Sequence, residues 1–407
     1  MHILVVTQYY APEVGAAPTR LGATVAGFID SGHEVTVLTS LPNHLTGATF
    51  GGYQGKIFHR EVIDGVPVLR TWAFPAGGRG LKRLANYLSF MTTSALRGLG
   101  LSGVDLIFFE SPPLFLGMAA VALKKRLGAR LIMNVSDLWP DSVPAVAPES
   151  IFASKPLMEA GRALERFLYS QADVVTAVTK GILDGLKAKG LDADRLAYLP
   201  NGFDPDLFKP RPFRERSRQP MVFLVAGSHG YAHGLEVVVE TAALLRHRSD
   251  VQIRLVGDGP TKAALQALAQ RLGLSPKHLR FDAPVPLSSM PDVIAESSAH
   301  LVTLRNDPFF DRTRPARLLP SLACGRPAIV SGRGDVATEV AVHDCGQVVE
   351  PGNPAALASA IETYADDARL LRRQGKAAAK YAQAEMTWPV LVNRWLERVE
   401  SRLEVEA

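Results

Sequence analysis

Short apolar runs alternate with stretches of helical periodicity along almost the whole chain, and this rhythm stops once, near residue 200, before it restarts. Ile3 to Thr7 reads as a buried strand. Pro18 to Ser31 reads as a helix with Leu21, Val25, Phe28 and Ile29 on one face and Gly32 as its stop. Strand-like runs follow at Glu34 to Thr39, Val66 to Trp72, Asp105 to Phe109, Arg130 to Val135, Val174 to Val178 and Leu196 to Leu199. Runs that are apolar throughout suit strands buried on both faces, so the predicted sheet is parallel and covered by helices on each side.

Around residues 201–220 four prolines after Pro200 and a cluster of charges forbid a continuous helix or a central strand, which reads as a linker. Strands are then predicted at Met221 to Ala226, Val251 to Val256, Leu279 to Phe281, Ala299 to Leu304 and Pro327 to Val330. Helices are predicted at Leu235 to Arg246, Thr261 to Leu272 and Pro354 to Ala365. At 407 residues the chain exceeds the length at which one core stops growing. The expectation is an α/β protein of two doubly wound, Rossmann-like domains, 1–200 and 221–385, facing a central cleft. A last helix within 386–407 could pack back on the first domain. Sheets of this kind bind ligands at the carboxyl ends of their strands, so function is expected there.

Composition narrows the class. The longest uninterrupted apolar stretch, Leu114 to Leu123, is about half of the ~20 residues needed to cross a bilayer. The N-terminus enters Ile3-Leu4-Val5-Val6 without a basic region or a cleavage site, so a cytoplasmic location is expected. Cys324 and Cys345 have neither disulfide density nor zinc spacing. A net charge of +5 favours an anionic partner without choosing between phosphate, nucleic acid and anionic lipid. On the reading of the whole chain no nucleic-acid partner is expected.

Several turns carry chemistry. Gly257-Asp258-Gly259-Pro260 lies between a strand and a helix, where glycines let backbone amides approach a phosphate, although Lys262 replaces the third glycine of a dinucleotide fingerprint. Ala226 to Leu235 is a second such turn, in which Gly227 amides, Ser228 or His233 could face a diphosphate. No Gly-x-x-x-x-Gly-Lys-Ser/Thr occurs, which excludes a P-loop NTPase. Arg312, Arg314, Arg317 and Arg326 cluster around a predicted helix start, and guanidinium forks suit a leaving diphosphate as well as a solvated face. The long loop from Gln8 to Pro18 follows the first strand, and Ser136 to Asp141 follows another. There Asp137 could orient a hydroxyl, take its proton, or simply cap a turn. Residues 79–101 mix Arg79, Lys82, Arg83 and Arg97 with leucines and aromatics, which fits either a core-facing stripe or an anionic membrane surface. The triplets Asp192-Ala193-Asp194 and Asp204-Pro205-Asp206 lie in turns, and no metal site is assigned to them.

Together these stretches resemble family 4 glycosyltransferases, in the branch of WbuB-like and WcaI-like enzymes of bacterial surface polysaccharide synthesis. The match runs in order through Met1 to Thr7 with Tyr10-Ala11-Pro12-Glu13, Gly32 to Thr39, Pro42-Asn43-His44, Ser111-Pro112-Pro113, Ser136 to Ser142, Pro200 to Asp204, Gly234-Leu235-Glu236, Val256 to Gly259 and Leu322 to Pro327. The resemblance implies a GT-B fold, transfer with retention of anomeric configuration, and no cofactor or required metal. Its donor would be a nucleotide diphosphate-sugar, with a UDP-sugar favoured, and its acceptor lipid-linked or an oligosaccharide. By position, Gly15 would approach the donor phosphate or sugar and Asp137 would lie near the reacting sugar. Gly227 to His233, Gly257, Gly259, Arg312, Arg314 and Arg317 would serve the diphosphate, and Glu13, His44, Ser111, Trp139 and Asp141 the acceptor. The family's two glutamates eight positions apart correspond here to Arg312 and Pro320, which leaves the ribose contact unassigned. Ser228 and His233 replace its basic pair. A nucleotide-sugar 2-epimerase of the same architecture, or a non-catalytic sugar-nucleotide-binding partner, are the rival readings.

Overall fold

The computed structural model describes residues 1–13, 15–43, 47–76, 80–146, 151–213 and 220–405. The chain forms two compact units, Met1–Asn201 with Leu391–Ala407, and Gly202–Val390.

The first unit holds an eight-stranded sheet of β1 (His2–Val6), β2 (Glu34–Ser40), β3 (Phe58–Ile63), β4 (Val66–Thr71), β5 (Leu106–Ser111), β6 (Arg130–Val135), β7 (Val174–Ala177) and β8 (Leu196–Tyr198), in the order β3-β4-β2-β1-β5-β6-β7-β8. Its helices are α1 (Ala16–Asp30), α2 (Leu81–Gly98), α3 (Leu116–Leu127), α4 (Val143–Val146), α5 (Lys155–Gln171) and α6 (Lys180–Ala188). Ile3, Leu4, Val5 and Val6 are completely buried, as expected of a strand covered on both faces. The chain runs outward from β1 to β2 on one side and returns to place β5 on the other, so the sheet's switch point lies between β1 and β5.

One strand departs from the expected all-parallel sheet. β3 pairs antiparallel with β4, Ile63 opposite Val66. Its Phe-His-Arg-Glu-Val-Ile alternates exposed and half-buried positions and therefore lacks the continuous apolar run of its neighbours. Asp64 (φ 50°) and Gly65 (φ 81°) make the two-residue turn, the geometry for which Asp-Gly is favoured in hairpins.

The second unit holds a six-stranded parallel sheet of β9 (Met221–Ala226), β10 (Val251–Val256), β11 (Leu279–Asp282), β12 (Ala299–Thr303), β13 (Ala328–Ser331) and β14 (Gly346–Val349), ordered β11-β10-β9-β12-β13-β14. Its switch point lies between β9 and β12. Around it lie α7 (Glu236–Leu244), α8 (Lys262–Arg271), α9 (Met290–Ala295), α10 (Leu318–Ala323), α11 (Gly334–Val342), α12 (Pro354–Asp366) and α13 (Ala368–Glu385). β14 was not expected from the sequence, because its Gly-Gln-Val-Val lacks the buried apolar run of its neighbours.

The proline-rich stretch after Asn201 packs into this second unit. Phe208 is 3% exposed. The guanidinium of the buried Arg326 donates to the carbonyls of Arg211 at 2.8 Å and Pro212 at 2.9 Å and lies 4.4 Å from the Phe213 ring centre. Arg326 also donates to Ser297 and Ala295 carbonyls, so it is a structural fastener rather than a phosphate ligand.

The last helix, α14 (Trp388–Val405), belongs to the first unit from Leu391 onward. Its Trp395 is 1% exposed, with ring centres of Phe28 and Phe108 each 5.6 Å away and its indole N–H donating to Thr176 Oγ1 at 3.0 Å. Gly27 on α1 admits this helix, since a Cβ there would sit 2.7 Å from Val392 Cγ1.

Candidate functional site

In the second unit two glycine-rich turns leave adjacent strands β9 and β10 and are stitched together. Gly227 N donates to Val256 O at 2.9 Å, His229 N to Asp258 O at 2.8 Å, and both Thr261 N and Oγ1 to His229 O. Glycine is required where the turns touch. A Cβ on Gly257 (φ 146°) would overlap the Gly227 carbonyl, and one on Gly259 would lie 2.6 Å from the His229 carbonyl. Gly227 (φ 114°) makes the exit from β9, and Ser228 is exposed beside it.

Arg317, the N-cap residue of α10, reaches this turn. Its Nη2 donates to Ser228 O at 2.5 Å. Burial lowers its pKa to about 10, so it remains charged at neutral pH. Two imidazoles accompany it. His229 is completely buried, and His233 is half-buried, its carbonyl accepting from Thr303 Oγ1 at 2.6 Å at the end of β12. Desolvation first, then neighbouring cations, pushes His229 down to about 4 and His233 to about 3. Four nitrogens here, His229 Nδ1 and Nε2, His233 Nδ1 and Arg317 Nη1, are out of solvent reach and have no hydrogen-bond partner among the described residues. Buried polar atoms are nearly always paired, so this concentration of donor-capable nitrogens at the β9/β12 switch point suits an anion.

The neighbouring arginines divide. Arg314 is 6% exposed and its fork is taken by Glu339, Nε to Oε2 at 2.5 Å and Nη2 to Oε1 at 2.6 Å, with Tyr381 donating to the same carboxylate. It is a buried structural pair, away from the diphosphate role expected of it. Arg312 is exposed at the end of a 3₁₀ turn, Pro308–Arg312.

In the first unit, the loops after β1, β5 and β6 leave the same edge of the sheet. Gly15 is the N-cap residue of α1, whose first turn carries no acidic side chain to neutralise its N-terminal pole. Glu13 is 5% exposed, and its Oε1 accepts from Asn43 N at 2.8 Å, so it braces a neighbouring loop. The buried Ser111 offers its carbonyl to both N and Oγ of Ser136. Asp137 is half-buried, and burial raises its carboxyl pKa although the Ser142 hydroxyl and Leu138 amide pull it back. Trp139 packs between Phe115 at 5.9 Å and Phe152 at 6.2 Å. His44 and Arg79 lie outside the described residues.

Asp141 is engaged in ion pairs of its own. Its carboxylate pairs with Lys189 at 2.6 Å and Arg162 at 3.3 Å, next to the buried Glu165, which turns it toward α5 and the end of α6. Its pKa falls below the usual value, burial opposing the shift and those two cations outweighing it. Conversely, the sequence reading missed a buried set at the switch point: Glu110 at the end of β5 pairs with Arg20 of α1 and accepts from Asn134 Nδ2 at 2.6 Å. A carboxylate directly after the apolar run Leu106 to Phe109 was the available signal. His229 was also passed over, because a histidine inside a glycine-rich turn gives no sign of its burial.

The Asp-x-Asp triplets serve turns, Asp192 accepting from Asp194 N at 2.9 Å and Asp204 from Asp206 N at 2.8 Å. No helix among the described residues is long and apolar enough to cross a membrane.

Two doubly wound units, with candidate site residues at the carboxyl ends of their strands, define a protein of the GT-B fold. Sucrose-phosphate synthase from Thermosynechococcus elongatus matches with a TM-score of 0.78 at 18% identity, over 100% of both chains. Anabaena Alr3699/HepE, solved in complex with UDP-glucose, matches with a TM-score of 0.68 at 17% identity, over 98% of this chain and 100% of its own. Residues 15–202 match the family described as "Glycosyl transferase 4-like domain" and residues 220–367 the family "Glycosyl transferases group 1". The chain therefore belongs to the family 4 glycosyltransferases. A curated relative, the putative colanic acid biosynthesis glycosyl transferase WcaI of Escherichia coli K12, is 26% identical over 94% of this chain and 96% of its own.

Proposed function

We propose that this glycosyltransferase moves a hexose or N-acetylamino sugar, with retention, from a UDP-sugar to a lipid-linked or oligosaccharide acceptor in the assembly of a surface polysaccharide. The observation that carries the reading is the group of four unpartnered nitrogens on and beside the glycine-rich turns. The similarity to WcaI supports the polysaccharide role, and the UDP-glucose held by a structural neighbour supports the donor. Arg317, His233, Ser228 and the Gly227, Gly257 and Gly259 backbone hold the diphosphate. The acceptor oxygen attacks the anomeric carbon as the bond from that carbon to the diphosphate oxygen breaks. The nucleoside diphosphate leaves with the electron pair, and Asp137 orients the acceptor hydroxyl or takes its proton. Arg317 and the turn amides meet the charge on the departing group, the largest single contribution in most such reactions. No metal ion is required in this reading.

Peripheral membrane contact fits α2. The helix buries Asn86, Phe90, Ser94 and Gly98, while Leu81 (71% exposed), Leu88, Leu96 (60%) and Leu99 face outward with Lys82 on the same helix. An outward leucine row beside cations matches an interfacial helix better than a core-facing one. This location would keep the protein at the inner face of the cell membrane.

The test is a thermal-shift and product-release screen of UDP-, GDP-, ADP- and dTDP-sugars, with and without an undecaprenyl diphosphate-sugar acceptor. A stabilising donor whose nucleotide is released only with acceptor is expected. A rearranged nucleotide sugar from donor alone would instead indicate an epimerase, and binding without turnover across acceptors a non-catalytic partner.

A further inference from the structure

We propose that His229 and His233 take up a proton when the diphosphate of the donor binds beside Arg317, so that the nucleotide sugar binds more tightly as pH falls. The inference rests on the donor-site reading above and adds His229 to that site.

His229 sits in the β9 turn with its backbone fixed by Asp258 and Thr261. Its ring is completely buried, and neither nitrogen is paired among the described residues. A neutral imidazole always has one nitrogen that only accepts, and a phosphate oxygen cannot satisfy that nitrogen. The imidazolium has two donors, so a diphosphate would pair best with the charged ring. His233 Nδ1 and Arg317 Nη1 lie unpartnered in the same cluster.

The charges facing these rings come from four elements. Lys262 at the start of α8, Arg317 at α10 and His233 disfavour a positive His229, while Asp258 in the β10 turn favours it. Arg317 and His229 disfavour a positive His233. His300 on β12, which also feels Arg317, is engaged with Ser321 and Ala226 N and stays neutral. Lys262 is held by the carbonyls of Gly257 at 2.7 Å and Asp282 at 3.2 Å, so it remains in place. Without an anion the balance keeps both rings neutral near pH 7. A diphosphate reverses its sign.

Proton uptake is measured directly by calorimetric titration of the full-length protein with UDP-glucose in buffers of different ionisation enthalpy. This probe is chosen because its diphosphate does not titrate near neutrality. Uptake should approach about one proton per donor bound as pH is lowered from about 8 to about 6, with affinity rising by up to about tenfold per pH unit. Binding without net uptake at every pH overturns the proton linkage while leaving the donor site intact. If neither UDP-glucose nor a GDP-, ADP- or dTDP-sugar binds, the donor-site reading itself falls. The paired substitution His229→Gln with His233→Gln should abolish uptake while keeping neutral donors, and uptake that persists in it counts against the proposal. Because His229 is buried, ¹⁵N shifts of the imidazoles in the unsubstituted protein provide a second reading. These should move toward the imidazolium values on adding UDP-glucose, and unchanged shifts would reject the idea.

Discussion

Arg317 shows how a residue can matter to the reaction and little to the fold. Its charge is buried at a cost that lowers its own pKa, and it adds to the burial that holds His229, His233 and His300 below the ordinary imidazole pKa. Removing it relieves the cost of burying that charge and forfeits one bond, to the Ser228 carbonyl. Arg317→Ala should therefore lower turnover by about 10²- to 10³-fold while leaving the melting temperature unchanged or higher, and Arg317→Lys should recover only part of the rate because its ammonium lacks the fork. Steady-state rates beside thermal denaturation check both halves. Asp137 has a related signature. Its folded carboxyl pKa is raised, so the folded state binds its proton more readily than the unfolded chain, and its ionisation costs stability as pH rises above the ordinary carboxyl range. Asp137→Asn should gain stability at neutral pH and lose about 10²-fold or more in rate, and a variant that keeps full activity would remove Asp137 from the chemistry. The sequence marks both residues as candidates because an arginine at a helix start and a carboxylate after a strand have recognisable contexts. The pairing of Arg314 with Glu339 was not, since nothing local in the chain brings residues 314 and 339 together.

At the scale of the element, apolar runs were legible even in strands as short as β8 and β13, whereas β3, β14 and the amphipathic α13 were not picked out. The buried strands have apolar runs and α14 a helical period, whereas β3 alternates exposed and half-buried positions and β14 opens with Gly346-Gln347 and has no buried run. What the period of α14 could not show is how much rests on Trp395, wedged against Phe28 and Phe108 with its indole N–H on Thr176. Trp395→Ala leaves a cavity and an unpaired hydroxyl, and should cost about 3–5 kcal/mol by chemical denaturation. A loss below about 1 kcal/mol would mean that the helix contributes little to the first unit. The exposed leucines of α2 make the opposite case, in which apolar residues contribute little to the fold. Leu81→Ser with Leu96→Ser should leave stability within about 0.5 kcal/mol and weaken co-sedimentation with vesicles containing anionic lipid. Retained co-sedimentation would remove α2 from any membrane contact.

At the scale of the whole chain, the restart of the α/β rhythm made the two-fold division legible, because buried parallel strands write themselves as apolar runs. The distribution of ionisable groups was not legible, since burial of a histidine is decided by the fold. Three histidines of the second unit have depressed folded pKa values, His229 at about 4 and His233 and His300 at about 3, against an ordinary value of 6.5. The unfolded chain protonates them near 6.5, so the stability they confer is complete above that pH and is lost progressively as pH falls toward 4 and 3. In the first unit His33 is shifted downward, mainly by burial. Carboxylates whose pKa values are lowered by ion pairs, Asp141, Asp282 and Glu339, lose their contribution only below their ordinary values near 4. On acidification from about pH 7 to about pH 4.5 the second unit should therefore lose hydrogen-exchange protection before the first, which mass spectrometry of peptides from both units in one sample can follow. UDP-glucose should delay that loss if the donor site holds it, by binding only the folded unit. Loss of protection in both units together, or in the first unit earlier, would show that the buried imidazoles do not control its acid stability.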